Sequence, residues 1–83
     1  MAELSSLKNI GKEIERKLKS IGISTAEELQ KIGSKDAFLQ LKMHYPNSCL
    51  VVLYTLEGAI KDIPYHELSK EVKQDLKKFN DEL

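Results

Sequence analysis

Apolar side chains recur at helical spacing near the start of the chain. Four of them, separated by four, four and three residues, fall on one face of a helix: Ile10, Ile14, Leu18 and Ile21. Glycines lie on both sides of this stripe, so the sequence predicts a helix over about residues 11–21. We expect Gly22 to end it in the left-handed conformation, which a residue with a Cβ adopts only at a cost.

Two further helices are predicted next in the chain. Thr25 followed by Glu28 is a capping-box pattern, in which two backbone N–H groups at a helix start are satisfied reciprocally. The helix that it opens is expected to end at Gly33. Ser34 is the expected N-cap of the next helix, which Pro46 stops, because a residue before proline disfavours the α conformation.

The fourth predicted helix runs from Cys49 to about Ile60, with Asn47 or Ser48 as its cap. It is apolar nearly all round, which is typical of the buried centre of a small bundle. We therefore expect Leu53 to be fully buried. The β-branched residues 51–52 leave a buried strand as the alternative for this segment.

The end of the chain predicts a short turn and one more helix. Pro64 opens a turn over residues 65–68, and Ser69 caps the last helix. Gly58, within the fourth helix, indicates close packing at that point, because glycine weakens a helix interior. The whole pattern predicts an all-α protein, a small bundle of about five helices that forms a single domain over residues 1–83.

Composition and charge narrow the possible partners. The chain has thirteen Lys and Arg against thirteen Asp and Glu, so no global basic field attracts nucleic acid or anionic lipid. Residues 7–42 carry eight basic and five acidic side chains, whereas residues 43–83 carry five and seven. Cys49 is the only cysteine, which fits a reducing compartment. With no signal-peptide core and no apolar run near the roughly 20 residues that span a bilayer, we expect a cytoplasmic protein without a membrane partner.

The segment around the first helix resembles a helix-hairpin-helix. A turn, Leu7-Lys8-Asn9-Ile10-Gly11, leads into the helix, and Leu18-Lys19-Ser20-Ile21-Gly22-Ile23 follows its last turns. In that pattern, turn glycines let backbone N–H groups approach a phosphate, and the helix dipole adds a favourable field. Here Lys8 and Asn9 stand where DNA-binding hairpins commonly have proline and a first glycine. Asn tolerates the left-handed region, so we expect the turn to form.

Further matching segments are spread over most of the chain. They are Ser24-Thr25, Glu28-Leu29, Gly33-Ser34-Lys35, Ala37-Phe38, His44-Tyr45-Pro46, Leu50-Val51-Val52-Leu53-Tyr54, Leu56-Glu57-Gly58-Ala59-Ile60 and His66-Glu67-Leu68. Together with the hairpin they resemble the C-terminal domain of the TfoX family. The resemblance implies a helix-hairpin-helix class of fold and a link to the regulation of natural competence. TfoX-type regulators join this domain to an N-terminal one; because this chain begins at the hairpin, we expect a stand-alone domain.

Basic side chains form a second row on the first helix. They repeat at four, four and three residues: Lys8, Lys12, Arg16 and Lys19. An offset of two residues, about 200°, from the apolar stripe predicts that this row faces solvent. Glu15 precedes Lys19 by four residues, a spacing that favours an ion pair, which leaves Lys12 and Arg16 as the less compensated pair. The candidate binding residues for nucleic acid or a protein partner are Lys8, Asn9, Gly11, Lys12, Arg16 and Lys19.

No spacing in the chain predicts an enzyme. His44, His66 and Cys49 match no zinc pattern, and a cysteine at the start of an apolar helix is usually a small buried hydrophobe. We expect no metal, no cofactor, no catalytic residue and no small-molecule substrate. Two functions stay open: a regulatory or protein-interaction module whose partner the sequence does not identify, and a weak, sequence-nonspecific DNA-binding domain. The basic row as a plain solvated face, and the turn as a plain helix start, stay open as well.

Overall fold

A computed structural model describes residues 3–83, and these residues are all-α, as predicted. Five α-helices and two short 3-10 helices lie among them, with one isolated bridge between Glu3 and Thr25 as the extended pairing. In chain order they are η1 (Leu4–Ser6), α1 (Lys12–Ser20), α2 (Ala26–Ile32), α3 (Ser34–His44), α4 (Leu50–Lys61), η2 (Tyr65–Glu67) and α5 (Lys70–Asp81).

Helix α4 lies at the centre of the bundle. It packs against α2, α3, α5 and η2, while α1 packs against α3 and η1. Leu53, Leu56 and Ala59 on α4 are completely buried, which confirms the prediction for Leu53. Val51 is 48% exposed, so α4 does not bury its whole circumference. The segment is helical throughout, and the alternative of a buried strand is wrong.

Leucines and phenylalanine from the surrounding helices close the core over α4. Apolar burial of this kind contributes most of the stability of a small domain. The largest completely buried side chains outside α4 come from η1, α1, α2 and α3: Leu4, Leu18, Leu29, Phe38 and Leu41. Leu68, directly after η2, and Leu76 on α5 cover the remaining side.

Helix α1 ends as the sequence predicts. Gly22 has a φ of 94°, in the left-handed region. The N–H of Ile23 donates to the carbonyl of Leu18 at 2.9 Å, and that of Gly22 donates to the carbonyl of Lys19 at 3.1 Å. This pair of bonds is the Schellman motif, which satisfies carbonyls left over at a helix end.

A single residue joins α2 to α3. Gly33, with a φ of 87°, is the C-cap of the first helix and the N-cap of the second. Its N–H donates to the carbonyl of Leu29 at 3.0 Å, and its own carbonyl accepts from Ala37 at 3.1 Å. The prediction of Ser34 as N-cap is therefore wrong. Ser34 is the first residue of α3 and is buried, and its hydroxyl donates to Glu57 at 2.5 Å.

The predicted cap of α4 is also wrong. The N-cap is Cys49, and its side chain makes no capping bond. Ser48 is buried and donates its hydroxyl to the carbonyl of Tyr45 at 2.8 Å, while Asn47 is exposed in the turn. Cys49 is exposed rather than buried, because the chain reaches the core only one residue later.

The other two predicted caps are confirmed. The N–H of Glu28 donates to the Thr25 hydroxyl at 3.2 Å, and the N–H of Val72 donates to the Ser69 hydroxyl at 3.2 Å. The return bond of the capping box is shifted by one residue, because Glu28 Oε1 accepts from the N–H of Ser24 at 3.2 Å. Both helices thus begin where the sequence places them.

Removing the central side chain tests this packing. We expect Leu53→Ala to lower the free energy of unfolding by about 2–5 kcal/mol, because it opens a cavity in a fully packed core. Urea unfolding followed by circular dichroism measures the change. Val51→Ala on the same helix is the matched control, with an expected change within about 0.5 kcal/mol. Equal losses for the two variants would contradict the assignment of α4 as the core helix.

The glycine that ends α1 gives a second test. We expect Gly22→Ser to lower the free energy of unfolding by about 1–2 kcal/mol, because serine is strained at a positive φ. No atom lies within 4 Å of a Cβ built at Gly22, so backbone strain is the only cost. Gly11→Ser is the control, since Gly11 is extended and open, and a serine N-cap is favourable. A Gly22→Ser protein as stable as wild type in thermal unfolding would refute the argument.

Candidate functional site

Asn9 bonds the turn before α1 to the segment between α4 and α5. Its φ of 71° is left-handed, as the sequence predicts for this residue. The Nδ2 amide donates to the carbonyl of Ile63 at 3.0 Å, and Oδ1 accepts from the N–H of Tyr65 at 3.2 Å. Both ends of the side chain are therefore used inside the protein, and Asn9 does not extend toward solvent.

Gly58 makes room for this side chain. A Cβ at Gly58 would lie 2.6 Å from Asn9 Nδ2 and 2.8 Å from the carbonyl oxygen of Ile63. Both distances are shorter than any real Cβ contact. The close packing predicted at Gly58 is thus confirmed, and the close neighbours are the Asn9 side chain, the carbonyl of Ile63 and the first residue of η2, Tyr65.

Gly11 and Lys12 occupy the start of α1. Gly11 is the N-cap, exposed and extended, with a φ of −90° that requires no glycine. Its lack of a side chain leaves the first amides of α1 without a side-chain cap. Lys8 and Lys12 are exposed, and within residues 3–83 neither forms a salt bridge.

The other two residues of the basic row have carboxylate partners. Arg16 Nη2 lies 2.6 Å from Glu13 Oε1, so the prediction of Arg16 as one of the less compensated residues is wrong. The hydrogen bond from Arg16, followed by its charge, holds the pKa of the Glu13 carboxyl below its ordinary value. Lys19 lies 3.9 Å from Glu15, which confirms the predicted ion pair. All four basic residues are exposed, as predicted, and within this row Lys8 and Lys12 are the two that form no salt bridge in the described part of the chain.

A surface that the sequence analysis missed lies where α3 and α4 meet. Residues 43–56 contain no Asp, Glu, Lys or Arg. At the beginning of this segment Met43 is 80% exposed, and Val51 is 48% exposed. We call residues 43–51 the uncharged tip. The absence of charge over fourteen residues was the available signal, but the apolar pattern from Cys49 onward was interpreted only as a core helix.

Metal and membrane chemistry find no support in the part of the chain that the structure describes. No three His, Cys, Asp or Glu side chains of residues 3–83 come together as metal ligands. His44, Cys49 and His66 are each exposed. Over the same residues, no helix has the length and apolar character needed to cross a bilayer.

The sequence profile of the TfoX C-terminal domain matches residues 1–80. The chain belongs to the TfoX C-terminal domain family. No curated protein matches its sequence.

Two solved structures, both from Listeria monocytogenes, are similar to this TfoX C-terminal domain. An uncharacterized protein in a triclinic crystal form superposes with a TM-score of 0.92 at 46% identity, covering 94% of this chain and 89% of that one. A protein of unknown function in a tetragonal form gives a TM-score of 0.92 at 44% identity, covering 94% and 96%. The fold is thus shared by relatives along nearly their full length.

Substitution of Asn9 measures how much its two side-chain hydrogen bonds contribute to the free energy of unfolding. We expect Asn9→Ala to lower the free energy of unfolding by about 2–4 kcal/mol, through two lost hydrogen bonds and left-handed strain. Asn9→Gly should cost about 1 kcal/mol less, because glycine relieves the strain and only the bonds are lost. Asn47→Ala, in an exposed turn, is the control. Urea titrations of the variants give the values, and an Asn9→Ala protein of wild-type stability would contradict the role of the bonds.

Proposed function

We propose that this TfoX C-terminal domain is a non-enzymatic regulatory or protein-interaction module, a single domain over residues 1–83 that acts in the cytoplasm on a protein partner. The observation that carries the proposal is the position of the Asn9 side chain. A phosphate-binding hairpin needs a turn whose backbone amides are open to the ligand. In this turn, the N–H of Ile10 donates to the carbonyl of Leu7 at 3.4 Å, and both ends of the Asn9 side chain are bonded to residues 63 and 65, so neither group is offered to a phosphate.

Charge on α1 supports the same conclusion. Binding to a phosphate backbone draws on several cations at once, because each neutralised phosphate releases counterions. Arg16 and Lys19 are already occupied by carboxylates of the same helix. Two free lysines supply little of that driving force, and the chain as a whole has no net charge.

The uncharged tip supports a protein partner. Its residues include no Asp, Glu, Lys or Arg, and the ammonium of the neighbouring Lys42 is bonded to the carbonyl of Ser48 at 3.0 Å. Depletion of charged side chains and enrichment in Met are typical of the central part of protein interfaces. Met43 is the most exposed large apolar side chain of the described residues. Exposed apolar area of this kind is tolerated singly on soluble proteins, and it becomes a recognition surface when a partner covers it.

Weak, sequence-nonspecific DNA binding is the second candidate. One observation favours it: Lys8 and Lys12 are exposed on either side of the turn, next to helix amides that no side chain caps. Such a site would contact few phosphates, so its affinity would be low and would fall steeply with salt.

A titration of the ¹⁵N-labelled domain with duplex DNA at low salt separates the two candidates. We expect no localised shifts of the amides of Ile10, Gly11 and Lys12. In a parallel pull-down, the immobilised domain should retain a protein from nuclease-treated cell extract. This binding should be saturable, and added free domain should reduce the amount of protein retained. Loss of that retention in a Met43→Lys/Val51→Lys variant would add the uncharged tip to the interface.

The contradicting result is also specific. Salt-sensitive shifts at the turn that vanish in Lys8→Glu/Lys12→Glu, but persist in the control Lys31→Glu/Lys70→Glu, would replace the protein-interaction proposal with DNA binding. The log–log salt dependence should then have a slope of about 0.9 for each contacted phosphate. Lys31 and Lys70 are exposed lysines outside α1, so the control changes net charge equally.

A further inference from the structure

A groove with an apolar floor runs between the start of α3, the end of α4 and the start of α5. Its volume is about 690 Å³, and it is an open trough rather than an enclosed cavity. The floor is formed by one side chain from α2, one from α4 and two from α5: Ile32, Ile60, Val72 and Leu76. The first three are only partly buried, so apolar surface remains accessible along the trough.

The rim of this groove is strongly acidic. Four carboxylates line it, contributed by three helices: Asp36, Glu57, Glu71 and Asp75. Lys35 is the one cation among the lining residues, so the groove carries a formal charge of −3. Glu71 and Asp75 lie four residues apart on α5, a spacing at which like charges repel. The negative charge is therefore concentrated beside exposed apolar surface.

Two of the carboxylates are held in fixed positions. Glu57 accepts a hydrogen bond from the buried Ser34 hydroxyl at 2.5 Å and lies 3.5 Å from Lys61. Asp75 lies 2.8 Å from Lys35, a bridge between α3 and α5 at the side of the groove. Asp36 and Glu71 are exposed and form no salt bridge within the described residues 3–83.

We propose that this groove binds a basic amphipathic helix of a partner protein, resting on the proposed protein-interaction role. Apolar side chains on one face of that helix cover the floor, in the helix-in-groove mode of recognition. Lysine or arginine side chains that flank them pair with the rim carboxylates, Asp36 and Glu71 first. Complementary charge of this kind selects the partner and speeds association.

The shape and charge of the groove separate this occupant from others. Small molecules are usually bound where most of their surface is enclosed, and an open trough does not enclose them. A second copy offers α1 as its basic helix, but the apolar stripe of α1 packs inside its own domain through Leu18 and Ile14. Helix α1 of a second copy could therefore supply cations to the rim, but it has no free apolar face to cover the floor of the groove.

Binding of a designed peptide tests the proposal. The probe is a synthetic helix of about 14 leucine and lysine residues with helical periodicity, long enough to fold when bound. A scrambled peptide of the same composition is its control. We expect Asp36→Asn/Glu71→Gln to weaken binding of the periodic peptide by roughly fivefold to twentyfold, from two rim charges. Lys35→Gln should tighten it by roughly two- to fivefold, since it frees Asp75.

Matched variants keep the test specific. Glu3→Gln/Glu67→Gln removes two exposed carboxylates outside the groove and should leave the affinity unchanged. Thermal unfolding of every variant identifies any loss of fold. Equal affinity across these variants, equal binding of the scrambled peptide, or amide shifts confined to the uncharged tip would each overturn the proposal. Self-association of the domain that Asp36→Asn/Glu71→Gln abolishes would also overturn it, because the occupant would be a second copy.

The groove proposal and the protein-interaction proposal can fail separately. If the protein retained from extract still binds Asp36→Asn/Glu71→Gln fully and loses binding to Met43→Lys/Val51→Lys, the interaction role stands and the groove proposal fails. If DNA binds at the turn and no protein is retained, the interaction role itself fails. If Asp36→Asn/Glu71→Gln no longer retains the protein and Met43→Lys/Val51→Lys still does, both the interaction role and the groove proposal are supported.

Discussion

The side chain of Asn9 connects two parts of the chain that are more than fifty residues apart. Its amide bonds the carbonyl of Ile63 and the N–H of Tyr65, and it can do so only because Gly58 leaves the space empty. Hydrogen bonds between distant segments order more of the chain than local ones, since a large loop is closed when they form. The placement of the turn, of α1 and of the connection before α5 all depend on this contact.

The same contact decides the chemistry of the turn. A glycine at position 9 would leave the left-handed conformation intact but would lose both side-chain hydrogen bonds. Asparagine keeps the conformation but engages both of its polar ends internally, where they are satisfied. The Asn9 side chain is therefore not available to a ligand, and the partner surfaces proposed above lie on α3, α4 and α5.

Local signals in the sequence were sufficient for most of the fold. Helical periodicity predicted the positions of the helices. Thr25 and Ser69 cap helix starts through their hydroxyls, and Gly22 ends α1 in the left-handed conformation, as the sequence predicts. The errors share one cause. Ser34 and Ser48 have the chemistry of caps, but their hydroxyls are taken by Glu57 and by the carbonyl of Tyr45. Folding brings Glu57 to Ser34 across 23 residues, whereas the bond from Ser48 to Tyr45 is a local one that competes with capping.

The candidate site was predicted less well for the same reason. Exposure of the basic row followed from its offset to the apolar stripe, but the pairing of Arg16 with Glu13 needed the three-residue spacing to be considered as well as the four-residue one. The acidic groove combines side chains from positions 32 to 76. Only the packing of α3, α4 and α5 brings them together, so no short motif encodes it.

Gly33 has a consequence for how this protein tolerates changes in length. Because one residue ends α2 and begins α3, the joint has no spare backbone. An inserted residue would shift the register of α3, and each residue of shift moves its side chains by about 100° around the helix, since a helix has 3.6 residues per turn. Phe38 and Leu41 would then leave the core. An insertion at the exposed Asn47, in the turn after α3, avoids this joint, which fixes the register of one half of the bundle against the other.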